Sequence, residues 1–167
     1  MLTNNIVDKY YKVLKNKGLN LEVNVPKSMA EKDKGDGWFT WHPVVSSVDD
    51  KEIEEIERKY GIKLPSVYID FIKNKQFLDI QVGGYTLFGV NENNTLEKLL
   101  KIFPENVVSL GYIPLGQIND EDFIALDTNT ETVVLLGYDD YKLKKILFEN
   151  FNDLISDLNK KIDMQFT

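Results

Sequence analysis

The chain has 167 residues, 43% of them hydrophobic and 11% aromatic, and no cysteine, which is enough to bury the core of one ordinary domain and too little for a second independent one. Without cysteine, a disulfide framework, a thiolate metal site and a cysteine nucleophile are all excluded. The 27 acidic residues outnumber the 20 basic ones, for a net charge of −7, so the general field repels phosphate backbones and anionic lipid, attracts basic proteins, and makes nucleic acid and membrane unexpected partners.

The opening stretch "MLTNNIVDKYYKVLKNKG" lacks the uninterrupted apolar centre of a secretory signal or membrane span, and a cytoplasmic protein is expected. Ile6, Tyr10, Val13 and Leu14 instead share helical spacing, with Gly18 placed to stop a first helix. The charged, glycine-containing "PKSMAEKDKGDGW" reads as a loop. It leads into "WFTWHPVV", which brings both tryptophans and the only histidine close together. Residues 1–37 are expected to form an N-terminal helix and loop extension packed on a main domain of residues 38–167.

A second helix is predicted from Asp50, because Asp49 and Glu52 have capping-box spacing while Val48 and Ile53 stand where a hydrophobic staple would put them. Ile53, Ile56 and Tyr60 form its apolar stripe, Gly61 ends it, and Pro65 suits the first position of a third helix that buries Tyr68, Phe71 and Ile72. From Tyr85 onward the chain turns to short β-rich pieces, "YTLFGV", "IPLGQI", "DFIALD" and "TVVLLGY", with "TLEKLLKIF" as a short helix between the first two and "DTNTET" as a hairpin turn between the last two. In "KILFENFNDLISDLNKKI", Phe148, Phe151, Leu154, Ile155, Leu158 and Ile162 mark one face of a final helix. Helices followed by a run of strands and another helix point to an α+β fold.

The order of these pieces resembles the SMI1/KNR4 family of the SUKH superfamily. The likeness is carried by "IEEIERKYGIKLPSVYIDFI", by "IPLGQINDEDFIALD", by "TVVLLGYDD" and by the phenylalanine-rich final helix, and it extends from the aromatic lead-in "WFTWHPVVSSV" to about residue 160. One departure is "KNKQFLDIQVGG", which delays the family's glycine pair to Gly83 and Gly84 and leaves the geometry from Lys73 to Gly84 open. The resemblance implies a central antiparallel sheet flanked by helices. In bacteria it implies an immunity protein that binds and neutralises a cognate polymorphic or contact-dependent toxin. Eukaryotic relatives imply an alternative, a non-catalytic regulatory scaffold or binding module in cell-envelope control.

Residue chemistry alone gives little support to an enzyme. His42 is the sole histidine, is followed by Pro43, and has no Gly-x-Ser-x-Gly elbow to serve, so a serine triad lacks its parts. One histidine without cysteine cannot supply the usual zinc ligands. The loop starting at Asp127 offers oxygen ligands at positions one, three and five of an EF-hand pattern, but Thr132 replaces the glycine and Tyr138 the bidentate glutamate. Gly83, Gly84 and Gly89 lack the lysine and spacing of a phosphate loop. No catalytic residue, metal or cofactor is therefore expected. The candidate partner contacts are Trp38 and Trp41, since tryptophan is enriched at interface hot spots, and the acidic turns Asp120, Glu121, Asp122, Asp139 and Asp140, which suit a toxin with a basic contact surface.

Overall fold

The computed structural model describes residues 6–167, so the first five residues of the expected extension lie outside the described residues. The elements run α1 (Ile6–Asn16), β1 (Leu21–Val23), β2 (Ala30–Gly35), β3 (Trp38–Trp41), β4 (Val44–Val45), α2 (Asp50–Tyr60), α3 (Ser66–Asn74), β5 (Lys75–Gln76), β6 (Ile80–Val82) and β7 (Tyr85–Leu87). They continue through α4 (Leu96–Leu100), α5 (Glu105–Ser109), β8 (Tyr112–Ile118), β9 (Phe123–Asp127), β10 (Val133–Leu136), β11 (Leu143–Phe148) and α6 (Phe151–Phe166).

Local chemistry places the α2–α3 pair. The Asp49 carboxylate accepts the Glu52 N–H at 2.9 Å and starts α2, which satisfies one of the free donors at a helix N-terminus. Gly61 ends it in the left-handed conformation at φ 66°. Glu57 then reaches forward, its Oε2 accepting the Leu64 N–H at 2.8 Å, so the linker is held rather than loose. Pro65 occupies the N-cap of α3, one residue before the first helical position expected for it. The two helices bury Ile53, Ile56, Tyr60, Tyr68, Phe71 and Ile72.

Six strands form one antiparallel sheet in the order β11-β10-β9-β8-β7-β6, so every strand pairs with its neighbours in sequence. The Lys73–Gly84 segment is the entry to this meander. It contributes β5, which pairs with β4, and then β6, which returns through a two-residue turn at Gly83 and Gly84 to pair Val82 with Tyr85. Both glycines have positive φ, 57° and 81°, as a tight hairpin turn of the primed type requires. In β8 and β9 most consecutive residues are buried, which means that both faces of the sheet's centre are covered and explains why those strands lack polar alternation. The architecture is α+β, with the antiparallel sheet at its centre and helices packed on it.

Aromatic rings join the helices to the sheet. Phe71 meets Phe77 and Phe151 edge to face, each with centroids 5.2 Å apart, and Phe151 also meets Tyr68 at 5.4 Å. At one end of the meander the Tyr10 hydroxyl stands 3.4 Å from the Gln81 carbonyl and 3.3 Å from its N–H, so α1 seals the outer edge of β6. At the other end, β11 is exposed along Leu143 to Ile146.

Two sequence expectations are corrected. The stretch read as a loop, residues 26–38, contains β2, which with β1 and β3 forms a separate three-stranded sheet in the order β1-β3-β2. Five of the six β2 residues are exposed, so neither face imposes the apolar alternation by which a strand is recognised. The boundary drawn between residues 37 and 38 falls in the turn joining β2 to β3 and divides that sheet. The final helix also starts later than expected: Asn150 caps it at the Asp153 N–H, 2.9 Å away, and Phe148 lies in β11 opposite Val133.

Substituting Phe71→Ala is expected to cost about 3–5 kcal/mol, since it empties the junction of α3, α6 and the sheet. Asp49→Ala removes only a cap and is expected to cost about 1 kcal/mol. Urea unfolding followed by circular dichroism measures both.

Candidate functional site

Because the sheet is a meander, alternate hairpin turns share one end of it. The β8–β9 turn is built by Ile118, whose carbonyl accepts the Glu121 N–H at 3.0 Å while its own N–H donates to the Asp122 carbonyl at 3.0 Å. Asn119 and Asp120 both adopt positive φ, 52° and 57°. Asn and Asp tolerate that region better than other residues with a side chain, since their short polar groups can bond locally. The Asn119 N–H donates to the Gly84 carbonyl at 2.7 Å, fastening this turn to the β6–β7 turn.

The β10–β11 turn is closed by the Gly137 N–H to the Lys142 carbonyl, 2.9 Å, and the Tyr141 N–H to the Gly137 carbonyl, 3.0 Å. Asp140 Oδ1 accepts the Lys142 N–H at 3.0 Å. Asp122 bridges the two turns: one carboxylate oxygen accepts the Tyr138 N–H at 3.2 Å and the other meets Lys144 Nζ at 2.7 Å. The two acidic runs, far apart in the chain, thus stand side by side with Asp120, Glu121, Asp139 and Asp140 exposed and Asp122 half-buried between them. The hydrogen bond from Lys144 holds the Asp122 carboxyl below its ordinary range, with the Tyr138 N–H helping, and Lys144 is correspondingly raised.

An aromatic cluster lies against these turns. Phe123 stacks near-parallel with Tyr138 at 6.0 Å and Tyr141 at 5.9 Å, and Phe103 meets Phe123 edge to face at 5.1 Å. Tyr138 nonetheless remains 59% exposed. This tyrosine was missed by sequence reasoning, although its place directly before Asp139 and Asp140 in "GYDDY" was the signal for it.

The tryptophans stand elsewhere, on the three-stranded sheet. Trp38 is 42% exposed and pairs with Val23. Trp41 is only 4% exposed, with the Tyr11 ring 5.5 Å away. The expectation that Trp41 faces a partner is therefore corrected, because its side of β3 is turned onto α1. The structure does not join either tryptophan to the acidic turns.

The remaining candidates have plain surroundings. His42 Nδ1 lies 3.1 Å from Glu31 Oε1 but outside hydrogen-bonding alignment, beside the small sheet. Asp127 Oδ1 accepts the Asn129 N–H at 2.9 Å within the β9–β10 hairpin turn. Among the described residues, no group of three or more His, Cys, Asp or Glu side chains is placed to hold a metal ion. No helix of the described residues is long and apolar enough to cross a membrane.

The model of the SMI1 / KNR4 family (SUKH-1) matches residues 47–157. A search of curated proteins returned no significant match. The matched region contains both acidic turns and leaves out the whole β1-β3-β2 sheet.

The Asp122–Lys144 pair has a definite pH signature. A carboxylate whose folded value is depressed contributes stability that is present above its unfolded value, about 3.9, and lost as pH falls through the lower folded value. Urea midpoints of wild type and Asp122→Asn are therefore expected to differ at pH 7 and to converge as pH falls below about 4.

Proposed function

The chain belongs to the SMI1/KNR4 family (SUKH-1), and on that premise we propose that it is a cytoplasmic bacterial immunity protein that binds and neutralises a cognate polymorphic or contact-dependent toxin. The reading is of a binding protein, with no chemistry of its own. The observation that carries it is the convergence of the acidic turns: four exposed carboxylates gather around an exposed tyrosine on turns that hydrogen bonds hold in place. The family's association with immunity proteins supports the same reading.

Physical roles divide between the two kinds of group. Asp120, Glu121, Asp139 and Asp140 form the rim that draws in a basic surface and selects it over neutral ones. Tyr138 supplies rigid contact area with little entropy to lose, and therefore governs dissociation. Asp122 does not meet the partner with a free charge, because Lys144 neutralises it. It fixes the spacing of the two turns. Trp38 offers a second contact on the small sheet.

Co-expression with the toxin encoded beside this gene is the test. Protection from that toxin and recovery of a stable complex are expected. A chain that gives neither is not its immunity protein, and a complex without protection would favour the regulatory-scaffold alternative. Replacing Asp120, Glu121, Asp139 and Asp140 together by their amides is expected to slow association about ten- to hundredfold at low salt and flatten its salt dependence. Tyr138→Ala should instead raise the dissociation rate about tenfold. Surface plasmon resonance at two salt concentrations separates these effects.

A further inference from the structure

Between the three-stranded sheet and the sealed edge of the main sheet lies a cleft of about 420 Å³. Its walls come from both sides of the family match: Leu19, Leu21, Glu22 and Trp41 precede residue 47, while Leu78 and Asp79 lie within the matched body. Clefts at such joints are where ligand sites most often form. The apolar part is not closed by the protein itself, since Leu19 is 54% and Leu21 38% exposed.

Two carboxylates face this space. Glu22 and Asp79 have no Lys, Arg or His partner within ion-pair distance among the described residues, unlike Asp122, Asp50, Glu57 and Glu97. Asp79 is held in position by one oxygen, which accepts the Gly89 N–H at 2.7 Å, leaving the other free. It stands exposed to water on one side; the protein packed against its other side raises its carboxyl above the ordinary range, the Gly89 N–H opposes that, and the Glu22 charge adds to it. Two carboxylates without a cation partner on one concave surface create a local negative potential that favours a positively charged group.

We propose that this cleft receives an arginine side chain from the partner protein, its stem lying along Leu19, Leu21 and Trp41 and its guanidinium set between Glu22 and the free oxygen of Asp79. The occupant is an organic cation because two carboxylates alone make a poor metal site, whereas a planar fork with an apolar stem matches both the acidic and the apolar walls. The site is also continuous with the acidic turns. Gln81 borders both the cleft and the shallow hollow that reaches Asn119 and Asp120, so one basic surface covers the two. The identity of the partner rests on the immunity reading; the chemistry of the cleft does not.

The experiment titrates the full-length protein with a short acetylated and amidated Leu-Arg-Leu peptide, and with the same peptide carrying citrulline, which keeps the shape and removes the charge. Amide and tryptophan-indole shifts in NMR are expected around Glu22, Trp41 and Asp79 with arginine, at least about tenfold weaker with citrulline, and similarly weakened in Glu22→Gln and Asp79→Asn. The Asp79→Asn variant keeps an oxygen for Gly89, so its fold is expected to persist and an unchanged spectrum elsewhere verifies this. Equal response to the two peptides, or none at millimolar concentration, overturns the proposal. Toxin binding supplies the second readout: full affinity in the Glu22→Gln, Asp79→Asn double variant overturns the cleft proposal while leaving the immunity reading intact. A wild type that binds no toxin but discriminates the peptides removes the immunity reading alone.

Discussion

Phe71 is the residue on which the arrangement turns. It reaches its place only because Gly61 and the extended segment before Pro65 redirect the chain from α2 into α3, and there it contacts both Phe77, just ahead of the meander, and Phe151, at the start of the last helix. Edge-to-face rings add attraction beyond their buried area. More important is the geometry they impose. With helices fastened over a sheet whose central strands are buried on both faces, the sheet's faces are spent on the core, and only its turns and edges remain for contact with other molecules. The position of the acidic turns follows from that constraint.

The charges divide in a way that net charge does not reveal. Several acidic groups on the helices have a lysine: Asp50 meets Lys73 at 2.6 Å, and Glu97 meets Lys59 at 3.2 Å. Exposed pairs of this kind contribute little to stability because water already solvates both partners. More informative are the carboxylates without a lysine that the fold gathers together, on the β8–β9 and β10–β11 turns and in the cleft behind the small sheet. They are the ones from which the proposed contact surface is composed. Its two ends also differ in origin: the turns lie inside the family-matched residues 47–157, while most of the cleft's apolar wall lies before them. The shared body thus carries the electrostatic rim, and the preceding segment supplies a separate concave feature beside it.

The helices and central strands were legible because their instructions are local. Asp49, Gly61 and Thr95 act within one turn of where they stand, and β8 to β10 are marked by apolar runs between Asn, Asp and Thr turns. What the sequence hid is nonlocal or lacks burial. Strand β2 has almost no buried side chain, so no periodicity points to it. Phe148 happens to fall in phase with the helical stripe of α6, yet Asn150 adopts extended backbone and the helix cannot begin before its cap. Whether Trp38 or Trp41 faces water depends on how β3 is set against α1, and alternation alone cannot choose the side. Asp122 meets Lys144 across two hairpins, and Glu22 and Asp79 come from distant parts of the chain to line one cleft. Neither pair leaves a spacing that a reader of the chain could use.

The two borders of the six-stranded sheet are finished differently. On β6, the Tyr10 hydroxyl occupies the donor and acceptor of Gln81; on β11, Lys145 and the Asp122-paired Lys144 lie on the exposed strand, with Lys142 just before it. An open strand is a template for another copy of the chain. One border is plugged and the other fenced with like charge, which sets any two copies against each other where they would otherwise zip. The ribbon is thereby kept from growing into a fibre at either side, and the apolar side chains on β11 remain exposed at low risk of aggregation.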